Sequence, residues 1–360
     1  MTLLDIHELQ TWFDTRAGVV KAVDGVSLSV DRGETVALVG ESGSGKSVTA
    51  YSILRLIPRT QGRIAGGRIV FDGTDLVTLP EAGIRALRGN RISMIFQEPL
   101  SALNPVLSIG SQIVEAIRLH RPVDRATAWD QAVHLLDRVG IPMARRRADD
   151  FPHQLSGGMR QRVVIAIALA CEPELLIADE PTTALDVTTQ AQILELLQEL
   201  QAERGMGLLL ITHDLGVVAE VADRAAVMYA GRVVEQGTVA QLFDAPAHPY
   251  TAGLLASMAL GELVPGSRLP EIAGTVPSLL DMPPGCAFAP RCPQARGTCL
   301  DARPALDAVG HLALLQGFAD TVAGRGGRVC PLGFGRRVVA ALEACDRSIE
   351  RGQAERLVAG

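Results

Sequence analysis

Lysine is almost missing from this sequence: Lys21 and Lys46 are the only two, and arginine supplies the remaining positive charge. Ammonium and guanidinium groups are not interchangeable, so a lysine kept inside a glycine-rich loop of so arginine-heavy a chain points to a need for a compact cation there. A basic field is missing as well. The formal net charge of -6 lacks the electrostatic footprint of a nucleic-acid binder, and no nucleic-acid partner is expected. Long apolar runs are absent: the longest, Val163 to Ala170, has eight residues, against the roughly 20 that a bilayer-spanning helix requires. Any membrane association is therefore expected to come through another protein. The opening MTLLDIHELQ has neither the basic region nor the apolar stretch of a secretory signal, so residence in the cytosol is expected.

Closely spaced cysteine pairs are the last absence. Of six cysteines, Cys286, Cys292, Cys299 and Cys330 lie toward the C-terminus, and Cys286-x5-Cys292-x6-Cys299 is not the C-x2-C spacing of common zinc ribbons. Clustering in a cytosolic chain points to metal rather than disulfides. Cys-Pro sequences at Cys292 and Cys330 are compatible with iron–sulfur ligation, with zinc and free thiols as alternatives. Cys171 and Cys345 read as small buried hydrophobes.

At 360 residues the chain is long enough for one large domain with one or two appendages. The run Thr35 to Val39 (TVALV) ends in GESGSGKS and is followed by helical spacing through Val48, Ile53 and Leu56, which reads as strand, glycine loop, helix. A second buried-type run, Leu175 to Ala178, ends in Asp179 and Glu180. A third, Leu208 to Thr212, ends in His213 and Asp214. Polar groups thus stand at the C-terminal ends of three strands, where open α/β sheets bind ligands. Residues of about 98–160 turn to helical periodicity (Ile109 to Leu119, Ala126 to Val139), an inserted helical subdomain. Frequent proline from Pro246 and cysteine beyond Pro283 mark a C-terminal extension.

The loop itself carries chemistry. Gly40-Glu-Ser42-Gly43-Ser-Gly45-Lys46-Ser47 fits the phosphate-loop pattern, in which glycines let backbone N–H groups converge on phosphate oxygens at a helix start. Gly40, Ser42, Gly43, Gly45, Lys46, Ser47 and Val48 are the candidate ATP-binding residues; an ordinary glycine turn would lack the flanking strand and helix. Lys46 would bridge the β- and γ-phosphates and Ser47 would ligate Mg²⁺. Asp179 would hold the same ion while Glu180 polarises the attacking water. An isolated Asp-Glu pair is usually a solvated surface step, and a lone histidine usually structural; position after buried strands favours function, with His213 bonding the γ-phosphate.

Four further segments, Ile95-Phe-Gln97-Glu-Pro99, Leu155-Ser156-Gly157-Gly158-Met159-Arg-Gln161, Ala184-Leu-Asp186 and Ile211-Thr-His213-Asp214, resemble the ATP-binding-cassette family, in that family's order. The resemblance implies an α/β, P-loop NTPase (RecA-like) nucleotide-binding domain over 1–260 with the helical insertion, and a cysteine-containing extension over 261–360. It implies that Gln97 links the Mg²⁺ and water site to the helical subdomain. It also implies that Ser156, Gly157, Gly158 and Met159 face ATP held by a partner subunit, with Asp186 communicating across the dimer. Physically, a second helix start opened by Ser156-Gly-Gly is a spare anion site, since the phosphate loop already serves this chain's own nucleotide.

More narrowly, IFQEPLSALNP, VMYAGRVVEQG, His248-Pro-Tyr250-Thr and Gly285-Cys286-Ala-Phe288-Ala-Pro-Arg291-Cys292-Pro are similar to the D-type ATPases of dipeptide, oligopeptide and nickel importers, over residues of about 1–315. That similarity implies two membrane permeases, a second related ATPase, an extracytoplasmic binding protein, and a peripheral place on the cytoplasmic face of the inner membrane. It also implies a four-cysteine [4Fe-4S] site. The family's usual fourth cysteine follows a Gly-His pair, whereas here Gly310-His311 leads to Leu312-Ala-Leu-Leu315; Cys330 would have to substitute, or the cluster is incomplete. Trp12 and Phe13 are the nearest candidates for an adenine-stacking aromatic, with packing as the alternative. A soluble cassette ATPase of nucleic-acid maintenance and a silent ATP-binding regulator are the competing readings; the acidic charge and the short insertion disfavour the first, Glu180 and His213 the second.

Overall fold

The computed structural model describes residues 1–58, 60–183, 185–258 and 271–303. Two sheets form it. The strands β1 (Thr2–Thr15), β2 (Gly18–Asp31), β4 (Gly62–Phe71) and β5 (Thr74–Asp75) make an antiparallel sheet in the order β2-β1-β4-β5. The second holds β3 (Thr35–Val39), β6 (Ile92–Ile95), β7 (Leu175–Asp179), β8 (Gly207–Thr212), β9 (Arg224–Tyr229) and β10 (Arg232–Thr238) in the order β10-β9-β3-β8-β7-β6. All but β10 run parallel. Every residue of β3 and β7 is buried, as continuous apolar runs in a parallel sheet require.

The register decides where the site lies. Val39 pairs with Thr212 and with Val227, and Ile211 pairs with Asp179. Gly40, Glu180 and His213 therefore leave neighbouring strands at one edge of the sheet.

Among the described residues the sheets are surrounded by the helices α1 (Lys46–Ile53), α2 (Glu81–Leu87), α3 (Pro99–Ala102), α4 (Ile109–His120), α5 (Arg125–Arg138), α6 (Ala144–Arg147), α7 (Gly157–Leu169), α8 (Val187–Arg204), α9 (Leu215–Val221), α10 (Val239–Asp244), α11 (Pro249–Met258) and α12 (Gly297–Asp301). Ile53 and Leu54 join Leu4, Ile6 and Val26 from one sheet and Leu38, Ile177 and Ile211 from the other in one apolar cluster, so the end of α1 packs with both sheets. Thr11 and Ser52 share a buried hydroxyl contact of 2.7 Å there. A second cluster joins α4, α5, α7 and α8 to β7 and β8. The expected helical insertion is thus built from α3 to α6 and the start of α7, with α4 and α5 opened by Ser108 and Asp124, whose side chains accept from Ser111 N and Thr127 N.

A third cluster covers the other face of β3 and β9, where Tyr229, Tyr250 and Phe288 meet and Ile272, Val276, Cys286 and Cys292 pack against them. Residues 1–303 form one compact unit. The expected boundary at 260/261 falls within residues 259–270 and, like Cys330 and Cys345, lies outside the described residues. Among the described residues no helix is long and apolar enough to cross a membrane.

Candidate active site

The loop after β3 is wedged between β9 and β2. A Cβ on Gly40 (φ +151) would lie 2.2 Å from the Met228 carbonyl oxygen, and one on Gly45 (φ +104) 2.4 Å from that of Ala22. Only glycine fits either position. The loop is braced further by Gly231 N–H donating to Ser44 O at 2.8 Å. From the start of α1 the buried Lys46 folds back, and its Nζ donates to the carbonyls of Gly40 (2.8 Å) and Glu41 (3.0 Å). Burial lowers its pKa, against the pull of Glu180, Asp179 and Glu41.

Ser47 Oγ donates to Asp179 Oδ1 at 3.1 Å. Asp179 is 0 % exposed, and burial pushes its carboxyl up to about 6; the Ser47 bond and Lys46 pull down, and Glu180 pushes up. Its other oxygen, Oδ2, is buried without a hydrogen-bond partner. An orphaned carboxylate oxygen beside a serine hydroxyl is a hard-oxygen pair that suits Mg²⁺, an ion that takes one or two protein ligands and completes its shell with phosphates and water.

Glu180 is the hub of the group. Its φ of +47 is a left-handed backbone conformation in which its N–H donates to Ile211 O at 2.9 Å. Gln97 Nε2 and Thr183 Oγ1 each donate to Oε2 at 2.9 Å, and His213 Nδ1 lies 3.3 Å from Oε1. Burial disfavours the charged carboxylate, but the bonds from Thr183 and His213, with the charges of His213 and Lys46, hold its pKa below the ordinary value. His213 itself is 61 % exposed, with room to swing outward. Lys46, Ser47, Asp179, Glu180, Gln97 and His213 thus meet in one group. Sequence reading does not reach Thr183, whose only signal, a hydroxyl three residues after Glu180, needs the turn geometry to be read. Nor does it reach Glu41 as an anchor point of the loop, or Tyr250 and Arg291, which hold Glu41 from outside the loop.

Ser156, Gly157, Gly158 and Met159 lie elsewhere. Ser156 caps α7, accepting from Met159 N at 3.4 Å. A Cβ on Gly158 would come within 2.7 Å of Thr189 Cγ2. Thr189 in turn donates to Asp186, from N at 3.0 Å and from Oγ1 at 2.7 Å. The signature loop and Asp186 are therefore neighbours within this chain and touch through Thr189. Lys21 Nζ stands 4.8 Å above the Trp12 ring, while Phe13 lies against Gly62, where a Cβ would come within 2.8 Å of its Cε1.

The expected cysteine cluster is not formed by the described thiols. Cys286 N donates to Cys299 O at 2.8 Å, and Cys286 and Cys292 pack against the aromatic layer. Burial raises the pKa of Cys292, a backbone bond from Gln294 lowers it, and the neighbouring Cys286 and Cys299 raise it. Among the described residues no group of three or more His, Cys, Asp or Glu side chains is arranged to hold a metal ion. Cys171 is buried, and its Sγ donates to Ala116 O at 3.6 Å.

Comparison with known proteins agrees with this geometry. The family model described as ABC transporter matches residues 23–183, and the one described as Oligopeptide/dipeptide transporter, C-terminal region, matches residues 234–299. A putative peptide import ATP-binding protein of Brucella melitensis is 57% identical over 317 residues, covering 85% of this chain and 94% of the relative. The oligopeptide transport ATP-binding protein AppD of Bacillus subtilis is 52% identical over 307 residues, covering 85% and 93%. Among solved structures, the dimeric ATP-binding cassette MJ0796 in a post-hydrolysis state bound to ADP and Pi aligns with a TM-score of 0.60 at 27% identity, covering 66% of this chain and 99% of that one. The cbiO1 protein of Clostridium perfringens, part of an ABC transporter complex, aligns with a TM-score of 0.57 at 28% identity, covering 72% and 96%.

Proposed function

The chain belongs to the ABC transporter family as an ATP-binding subunit, and from that premise we propose that it hydrolyses ATP to energise the import of peptides through membrane permeases. The observation that carries the chemistry is the convergence of Ser47 at the start of α1, Gln97 after β6, Asp179 and Glu180 at the end of β7, and His213 after β8. The likeness to peptide-import relatives over 85% of the chain supports the substrate class.

In this reading, Lys46 and the N–H groups from Gly40 to Val48 bind the phosphates. Ser47 and Asp179 hold Mg²⁺, which neutralises phosphate charge when bound. Glu180 receives the proton of the attacking water; its ionised carboxylate is oriented beforehand by Gln97 and Thr183. His213, which shares Glu180 Oε1 in this state, turns to the γ-phosphate. Ser156, Gly157, Gly158 and Met159 serve the nucleotide of a related partner ATPase, and Asp186 communicates across that dimer. The spare helix start of α7 supports this division.

Two permeases, a second ATPase and an extracytoplasmic binding protein complete the proposed importer, with this chain peripheral on the cytoplasmic face of the inner membrane. An apolar groove of about 330 Å³ lined by Leu56, Met94, Phe96, Leu119 and Ile167 is the surface we assign to a permease. No step is assigned to an iron–sulfur cluster, because the described thiols do not form a ligand set.

In the reconstituted importer, Glu180→Gln keeps ATP binding by the chain and cuts turnover by at least about 100-fold, the low end for removal of a general base, with peptide uptake lost in parallel. Undiminished ATP hydrolysis in that variant would overturn Glu180's role.

A further inference from the structure

Glu41, the second residue of the phosphate loop, places three polar groups on three different partners. Its carbonyl accepts from Lys46 Nζ at 3.0 Å, its N–H donates to Tyr250 Oη at 2.9 Å, and its Oε2 accepts from Arg291 Nη1 at 3.0 Å. Arg291 is only 6 % exposed and Glu41 28 %. The rest of the guanidinium is used as well: Nε donates to Ala273 O (3.1 Å), Nη2 to Ile272 O (3.0 Å) and Nη1 also to Tyr229 Oη (3.3 Å). A planar fork with this many fixed acceptors has one orientation left.

The anchors on either side are firm. Tyr229 ends β9, the strand beside β3, and its ring packs with those of Tyr250 and Phe288 at centroid distances of 4.7 and 5.3 Å. His248 and Ala247 donate their backbone N–H groups to Glu235, which fixes the start of α11 and with it Tyr250. The first turn of the phosphate loop is thus held by Lys46 on one side and by the C-terminal segment on the other.

We propose that Arg291 and Tyr250 are positioning residues for the phosphate loop: the C-terminal segment grips Glu41 and so sets the place from which Lys46 and the loop N–H groups meet ATP. The alternative is an ion pair that merely ties the segment down. Two features argue against that: Arg291 and Lys46 hold the same residue, and the charge of Arg291 is answered by a residue of the loop itself rather than by the abundant carboxylates elsewhere.

The inference rests on reading this loop as the ATP site, and the test separates the two. Equilibrium binding of a fluorescent ATP analogue to the full-length chain with Mg²⁺ is measured, with thermal unfolding as the check on folding. Arg291→Met, which keeps the apolar stem, is expected to weaken binding about tenfold, the scale of one hydrogen bond to a charged group. Arg291→Lys keeps the charge toward Glu41 but not the fork that fixes its orientation, and is expected to recover only part of the lost affinity, between Arg291→Met and wild type. Glu41→Gln should weaken it about tenfold, and the double variant Glu41→Gln/Arg291→Met about tenfold rather than a hundredfold, because both act through one contact. Wild-type affinity in folded Arg291→Met or Glu41→Gln, or effects that multiply in the double variant, would overturn the positioning role. Should Arg291→Met not fold, Glu41→Gln alone decides. Failure of the wild-type chain to bind the analogue would instead remove the ATP reading itself.

Discussion

Glu180 stands in a left-handed backbone conformation that costs a residue other than glycine about 1–3 kcal/mol. The bond to Ile211 and the contacts to Gln97, Thr183 and His213 hold it there. Gly40 shows the converse, a backbone that tolerates no side chain. Gly40→Ala is expected to lower stability by about 1–3 kcal/mol and to weaken ATP binding at least about tenfold, since the new methyl group meets the Met228 carbonyl and must displace the loop. Calorimetry and ATP titration of the variant check this, and wild-type values in both would contradict the loop geometry. The residues legible in the sequence, Lys46, Ser47, Asp179, Glu180 and His213, share one property: each directly follows a buried strand or its loop, so chain position reports their place. Arg291 could not be found that way. Its partner Glu41 is 250 positions distant, and the cysteine-containing segment in which Arg291 stands gives no sign of that contact.

Among the elements, the buried strands β3, β7 and β8 are legible in the sequence, whereas β6 and β9, buried as well, and the antiparallel sheet are not. TVALV coincides with β3, while β7 and β8 extend the expected runs by one residue each, to Asp179 and from Gly207. The antiparallel sheet is hidden because β1 and β2 pair with register shifts at Thr2/Leu4, Ile6/Leu9, Leu9/Gln10 and Thr11/Phe13, which break the period-two alternation a strand reading relies on. At the start of α11 the chemistry is pH-sensitive. Buried His248 accepts from Tyr250 N through Nδ1 at 3.1 Å, and burial depresses its pKa from 6.5 to about 4. A group whose folded pKa is depressed contributes stability above its unfolded pKa and loses it as pH falls through the folded value. The window is therefore from about 6.5 down to about 4, and the shift corresponds to about 3 kcal/mol. His248→Asn keeps an acceptor at the δ position and removes the titration. Thermal unfolding at pH of about 7.5 and about 4.5, on either side of most of that window, is expected to show a smaller acid loss in the variant. Equal losses in the two proteins would refute the assignment.

For the whole molecule, the chemistry falls into two groups of contacts. Lys46, Asp179 and Glu180 form one group, whereas Ser156 caps α7 and is joined to Asp186 through Gly158 and Thr189. A signature loop leaning on the helix that Asp186 caps would transmit a change at the partner's nucleotide to this chain's own core. ATP would favour the closed pair through γ-phosphate interactions that hydrolysis removes, which makes closure a population shift. The most direct measurement is sedimentation of the full-length Glu180→Gln chain, alone and mixed with the related partner ATPase, in MgATP and in MgADP. A species of dimer mass in MgATP that MgADP does not support is the predicted result. Monomers in MgATP, both alone and in the mixture, would contradict a site shared between two chains.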